Sequence, residues 1–139
     1  IRFLNIIRQN VERLTNIARA HPELVKRRPS IRYELADRVT EINVGTFLAY
    51  RVAHMQGVGL LPNYEASVSK LFGSEMSQRI SLTGMHLLGM AGELRDTSRG
   101  QVEDLTTAYL QSMSSTVAAG TSEIQRGIIA TRGLGLPRG

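Results

Sequence analysis

Apolar side chains in this chain recur every three or four residues over long stretches, and nowhere do they alternate with polar ones over a useful length. That spacing puts them on one face of an α-helix and argues against a sheet. Phe3, Ile7, Val11, Leu14, Ile17 and Ala18 mark the first stripe, over residues 2–19. His21-Pro22 ends it, because proline lacks the backbone donor and clashes with the preceding turn. A second helix restarts at Pro29-Ser30 with Ile31, Leu35, Val39, Ile42, Thr46 and Ala49 on one face, and stops at Gly57-Val58-Gly59. Asn63 is placed to cap the third, whose apolar positions are Val68, Leu71, Phe72, Met76, Ile80, Leu82 or Thr83, Leu87 and Leu88.

Residues 89–100, rich in Gly, Asp, Ser and Arg, read as a loop. A fourth helix follows from about Gln101 through Val102, Leu105, Tyr109, Met113 and Val117. Gly120 breaks that pattern, and a shorter fifth helix carries Ile124, Ile128 and Ile129, with Ser122 and Gln125 fitting a capping box at its start. The tail from Gly133 is non-helical. Four amphipathic helices plus a short fifth predict an all-α fold, an up-down-up-down four-helix bundle with a short extra C-terminal helix, over residues 1–139. Gly45, Gly73 and Gly84 fall inside these helices, where close approach of a neighbour would offset their poor helix propensity.

The balance of 42% hydrophobic and 21% charged residues is that of an ordinary globular chain. The absence of cysteine removes disulfides, thiolate zinc sites and cysteine nucleophiles, and it suits a reducing, cytoplasmic location. No apolar stretch approaches the roughly 18 residues of a membrane span. The chain is already helix-like at Ile1, without an initiator Met, so it is expected to begin inside a helix of a longer protein.

The net charge of +5 lies entirely in residues 1–38, which hold nine basic and four acidic side chains; eight of each follow. The run Lys26, Arg27, Arg28 and Arg32 has no interleaved aromatics and adjoins Pro22 and Pro29, so a solvated loop is its plain reading. A surface for anionic phosphates comes next, and nucleic-acid binding last. His21, His54 and His86 lie on different elements with no metal spacing, and no metal site is expected. Ser112, Ser114, Ser115 and Thr116 lack a glycine elbow or partner histidine and read as a polar helix face.

The informative stretch is Ala118 to Arg126. One helix stops at Gly120, and the next opens with free backbone donors, the hydroxyls of Thr121 and Ser122, and Glu123 in its first turn. Such a terminus can hold a phosphate or the hydroxyls of a ribose, but from the residues alone an ordinary capping turn is the plainer reading.

Residues 119–130, Ala-Gly-Thr-Ser-Glu-Ile-Gln-Arg-Gly-Ile-Ile-Ala, followed by Leu134-Gly135-Leu136-Pro137-Arg138, resemble the carboxy-terminal signature of the acyl-CoA dehydrogenases. Residues 65–72, Glu-Ala-Ser-Val-Ser-Lys-Leu-Phe, are similar to the start of that family's third bundle helix. Residues 86–92, His-Leu-Leu-Gly-Met-Ala-Gly, resemble the loop that ends it. The order of these pieces extends the resemblance over essentially the whole chain, with 65–72 and 119–138 its most specific parts.

The resemblance implies a carboxy-terminal helical domain that packs on an amino-terminal helical domain and a middle β-domain. It also implies FAD bound between the subunits of a homodimer or tetramer, or beside a related dehydrogenase subunit. The reaction implied is α,β-dehydrogenation of an acyl-CoA thioester: a glutamate removes the α-proton, the flavin takes the β-hydride, and an electron-transfer flavoprotein takes the electrons. By matching position, Thr121 and Glu123 are implied at the flavin ribose. His86, where Gln is frequent, and Gly89 are implied at the adenine-diphosphate end of a neighbouring subunit's cofactor. The family's Arg-x-x-Phe-Gly segment is replaced by Ala18-Arg19-Ala20-His21-Pro22, in which Arg19 stands one residue displaced as a phosphate-binding charge.

Catalysis is where the chain departs most. The usual base position, just before the Gly-Thr pair, is Ala119, which accepts no proton, and Ala118 stands where an aromatic is common. Either the base lies upstream of Ile1, as in branches that carry it on the first helix of this domain, or the parent is a non-catalytic subunit of a heteromeric dehydrogenase. The first is preferred. Glu12, the one acid of the first helix, is too far along to match. The chain alone is expected to be inactive and nearly flavin-free. An anion- or nucleic-acid-binding helical module, resting only on residues 19–38, is the third alternative.

Overall fold

The computed structural model describes residues 2–90 and 101–138, with side chains at 4–90 and 105–138. Within the expected loop over 89–100, residues 91–100 lie outside the described residues, as do the side chains of Phe3 and Val102. The fold is all-α. Four long helices, α1 (Arg2–Ala20), α3 (Ile31–Gly57), α4 (Tyr64–Leu88) and α5 (Gln101–Ser115), are joined by two short ones, α2 (Pro22–Arg27) and α6 (Ser122–Ile128), and by a π-helical turn, Ile129–Gly133.

The short helix α2 was not expected. Proline ends α1 at Ala20, but it occupies the first position of α2, where its missing N–H costs nothing. Val25 is buried, and Lys26 and Arg27 fall in the last turn, the end of a helix that favours cations. The basic run itself is exposed, as a solvated segment should be.

Each long helix runs antiparallel to the one before it. Between α1 and α3, Leu4 and Ala49 line the same groove at one end, while Ala18 and Ile31 line another at the other end. Between α3 and α4, Arg51 pairs with Glu65 at 3.4 Å, Glu41 with Arg79 at 2.7 Å and Glu34 with His86 at 2.9 Å. Between α4 and α5, the Ser81 hydroxyl donates to the Ala108 carbonyl at 3.4 Å and the Ser115 hydroxyl to that of Ser74, also at 3.4 Å. Helix α4 is the common partner: α1, α2, α3, α5, α6 and the π-turn all pack on it. The all-α expectation holds, and within it α4 is the helix on which the others gather.

The core is Ile7, Val11, Leu14 and Ile17 of α1 against Ile31 and Ile42 of α3 and Met76, Ile80, Leu87 and Leu88 of α4, closed by Val25 and Leu105. Thr83, not Leu82, takes the inward position on α4: Thr83 is 2% exposed and Leu82 43%. Val39, Met113, Val117 and Ile124, expected inward, are all exposed. Among the described side chains of α5, Leu105 is buried as expected and so are Thr106 and Ser112, while α4 buries Ser67, Ser74 and Ser81, which repeat every seventh residue. The serine-rich stretch is thus not a solvent face throughout. Ser112 is buried because its hydroxyl donates to the Tyr109 carbonyl of its own helix at 2.7 Å, which removes the cost of leaving it unpaired.

Candidate functional site: the α5–α6 turn

Helix α5 winds down through Ala118, whose N–H donates to the Ser114 carbonyl at 2.9 Å. The backbone then turns left-handed twice, at Ala119 (φ +56°) and Gly120 (φ +95°). Glycine adopts this readily; at Ala119 its Cβ crowds the next carbonyl. Thr121 returns to extended backbone and is the N-cap of α6, its hydroxyl accepting the Ile124 N–H at 3.4 Å. The cap is therefore Thr121 and not Ser122, one residue earlier than the sequence pattern suggested. Ser122 is buried in the first turn, and Gln125 reaches back to donate from Nε2 to the Ala119 carbonyl at 3.3 Å.

The turn is seated on the amino-terminal half of α4. Lys70 Nζ donates to the Gly120 carbonyl at 2.6 Å, and Arg126 pairs with Glu75. Arg132 donates to Asn63 Oδ1 at 2.9 Å, so the Asn63 side chain holds the π-turn and does not cap α4. Glu65 accepts the Asn63 N–H instead, at 3.2 Å. Gly133 lies against the Tyr64 ring, where a Cβ would stand 3.1 Å from ring carbons.

Glu123 is exposed in the first turn of α6. Its own backbone N–H, free at the helix start, and then the Thr121 hydroxyl hold its carboxyl below the ordinary value, with Arg126 and Lys70 adding favourable charge. Thr121 and Glu123 thus stand side by side as a hydroxyl and an ionised carboxylate at a helix mouth. An apolar groove of about 430 Å³ opens beside them, with Leu4, Ala49, Val52, Gly73 and Ala118 among its walls and Lys70 its one charged lining residue.

The other expected site residues lie elsewhere. His86 is at the far end of α4, its Nδ1 2.9 Å from Glu34, which Arg28 also pairs at 3.2 Å. Burial pushes the Glu34 carboxyl up, but the hydrogen bond and charge of His86 together with Arg28 outweigh it and hold it low. Gly89 caps α4 with φ +56° and is exposed. Arg19, exposed at the end of α1, lines a groove of about 400 Å³ with Lys26 and Arg32. From Lys70 to His86 along α4 is about 24 Å at the helical rise. Thr121 and Glu123 therefore lie together at the start of α6, and His86 and Gly89 at the far end of α4. The contact of Lys70 with the turn was not legible in the sequence. Lys70 sits in the segment 65–72, but nothing in a sequence couples it to a carbonyl 50 positions on. Among the described residues no three His, Asp or Glu side chains converge as metal ligands, and no helix is long and apolar enough to cross a membrane.

Residues 2–134 match the family model described as the acyl-CoA dehydrogenase C-terminal domain. Acyl-CoA dehydrogenase IpdE1 of Mycobacterium tuberculosis is 32% identical over 90 residues, 65% of this chain and 23% of its own length. Acyl-CoA dehydrogenase FadE26 of the same organism is 40% identical over 79 residues, 53% of this chain and 19% of its own. The solved structure of the Tcur3481-Tcur3483 steroid ACAD has a TM-score of 0.81 at 26% identity, covering 96% of this chain and 35% of that one. Its G363A variant gives 0.84 with the same coverage. The chain spans under a quarter of the length of these two curated relatives, 23% and 19%. An all-α chain built on α4, with the left-handed turn, the capping threonine and the matched stretch from Arg2 to Leu134, belongs to the acyl-CoA dehydrogenase family through that family's C-terminal domain.

Proposed function

We propose that the chain is the C-terminal domain of a flavin-dependent enzyme that removes hydrogen from the α and β carbons of an acyl-CoA thioester. In this reading the domain holds part of the FAD and part of the contact between subunits. The observation that carries it is the α5–α6 turn, where Thr121 and an ionised Glu123 stand together on a helix mouth. Such a pair fits a ribose: the carboxylate accepts from its hydroxyls, and the threonine hydroxyl adds a donor that can turn outward from the cap. The groove beside it is of the size and apolar character of ligand pockets and suits the hydrocarbon part of a thioester. FAD, when bound, supplies the hydride acceptor.

The chain's own residues bind and orient; none takes the proton. Ala119 has no group to do so, and the base comes from outside these residues in a self-sufficient enzyme. His86, Gly89 and Arg19 serve a second subunit's cofactor in this reading, which is supported by their separation from Thr121 along α4 and by the basic groove that Arg19 shares with Lys26 and Arg32. An electron-transfer flavoprotein is the electron acceptor. The solved neighbours are named as steroid enzymes, which makes a ring-bearing acyl thioester the first substrate class to test.

A second reading is favoured by Ala119: a subunit that completes a partner's flavin site and does no chemistry itself. The paired designation Tcur3481-Tcur3483 of the solved neighbours is in keeping with it. The site assignment is tested by FAD titration of the full-length protein with Thr121→Val and Glu123→Gln. Each is expected to weaken FAD binding by about tenfold, the cost of one lost hydrogen bond to a charged or well-placed group. Unchanged FAD affinity in both would remove Thr121 and Glu123 from the cofactor site.

A further inference from the structure

We propose that Lys70 is the positioning residue of this site: its ammonium clamps the Gly120 carbonyl and so fixes the direction in which Thr121 and Glu123 present their oxygens. The proposal rests on the reading of that pair as the nucleotide contact, and it adds a residue to which that reading gave no part.

The turn cannot be held by a helical ladder. With Ala119 and Gly120 both left-handed, their carbonyls leave the direction of α5 and do not enter that of α6. Side chains take both. Gln125 satisfies the Ala119 carbonyl from six residues away, a local bond that moves with α6. Lys70 satisfies the Gly120 carbonyl at 2.6 Å across 50 residues of sequence. It is this bond that ties the left-handed pair to α4, while the Arg126–Glu75 pair ties down the helix that follows. Three backbone N–H groups depend on the turn's shape. Ser122 donates to the Thr116 carbonyl at 3.1 Å, Ile124 to the Thr121 hydroxyl at 3.4 Å and Gln125 to the Thr121 carbonyl at 3.0 Å.

A plain alternative is a lysine that lays its stem along apolar surface and sends its head to water. The geometry goes against it. Lys70 is half-buried, its head is on a carbonyl, and it contributes the one charge to a groove whose other walls are small or apolar residues and Ser69, Ser74 and Ser115. A charged donor to a carbonyl is shorter and stronger than a neutral one, and a partly desolvated site strengthens it further. The same charge favours the ionised form of Glu123. Lys70 thus acts on the site through the backbone that aims it, and its charge adds only slightly to what the helix start and the Thr121 hydroxyl do for Glu123.

The test uses the full-length protein stripped of flavin, with Lys70→Met, which keeps the stem and loses the donor, and Lys70→Arg, which keeps a charged donor. Amide hydrogen exchange is followed at Ser122, Ile124 and Gln125, and FAD affinity is measured in parallel. For Lys70→Met, exchange at these amides is expected to quicken by at least about tenfold and FAD to bind about tenfold more weakly. Amides of the α1–α3 core should be unaffected, and Lys70→Arg should restore both properties in large part. Unchanged exchange in the turn of Lys70→Met overturns the clamp. Faster exchange with unchanged FAD affinity leaves the clamp standing and overturns the nucleotide role of Thr121 and Glu123. Should Lys70→Met fail to fold, Lys70→Arg decides. Native-like exchange with native-like FAD affinity supports the clamp, and exchange as fast as in an unstructured peptide overturns it.

Discussion

At the level of single residues, the turn before α6 sets two neighbours against each other. Ala119 holds φ +56° with a Cβ, and Gly120 holds φ +95° without one. The left-handed region costs an L-residue about 1–2 kcal/mol, and glycine's greater freedom in the unfolded chain gives part of that back. Ala119→Gly is therefore expected to stabilise the protein by about 0.5–1 kcal/mol. Gly120→Ala is expected to destabilise it by about 2–3 kcal/mol, because the strain adds to a collision: the new Cβ would stand 2.7 Å from Gln125 Nε2 and break its bond to the Ala119 carbonyl. Urea unfolding of the two variants checks the opposite signs. Gly120 was legible as a helix breaker from its type alone. The matching conformation of Ala119 was not, since nothing about alanine announces it. The cap fell on Thr121 and not Ser122 for a similar reason: both residues can cap, and only the backbone decides which is extended.

Among the elements, the helices were legible because periodicity survives in any amphipathic segment, and their ends because Pro22, Gly57 and Gly120 punctuate them. Two things were not legible. Helix α2 hides behind a proline that ends one helix and starts another. The α4–α5 seam carries polar bonds, Ser81 to the Ala108 carbonyl and Ser115 to that of Ser74, so apolar spacing alone pointed Met113 and Val117 inward when both are exposed. Gly45 and Gly84 mark close approaches while Gly127, inside α6, meets nothing, and the two approaches differ. A Cβ at Gly84 would sit 3.1 Å from Leu14 Cδ2, the branched end of a short side chain. Leu14 and Met76 are both fully buried, so flexibility and not exposure separates the two sites. At Gly45 the nearest atom is the Met76 methyl at 3.2 Å, the end of a flexible thioether. Alanine gains about 1 kcal/mol of helix propensity at either place. Gly84→Ala is expected to lose more than that to overpacking, for a net destabilisation of about 1–2 kcal/mol. Gly45→Ala is expected to be neutral within about 0.5 kcal/mol, because Met76 can turn aside. Thermal unfolding of the pair checks the ordering, and equal effects would mean that Leu14 yields as easily as Met76.

For the molecule as a whole, the arrangement along α4 is what the proposed reading builds on. Lys70, Gly120, Thr121 and Glu123 gather at its amino-terminal half, while His86, Gly89 and the Glu34–Arg28 cluster lie at its other end. A domain with two separated sets of ligand-type residues suits a cofactor shared between subunits, each end serving a different flavin. In the sequence that division was implied only by the family resemblance, since spacing alone does not show which end of α4 the turn of residues 119–121 meets. Whether the domain serves a flavin-dependent acyl-CoA dehydrogenase is decided by the visible spectrum of the full-length protein. The spectrum is recorded anaerobically before and after a panel of straight-chain and ring-bearing acyl-CoA thioesters is added. Bound flavin is expected, with an absorbance near its visible maximum that bleaches with at least one of them. A protein that takes up no FAD even when FAD is supplied in excess, alone or with a related dehydrogenase subunit, would contradict that assignment.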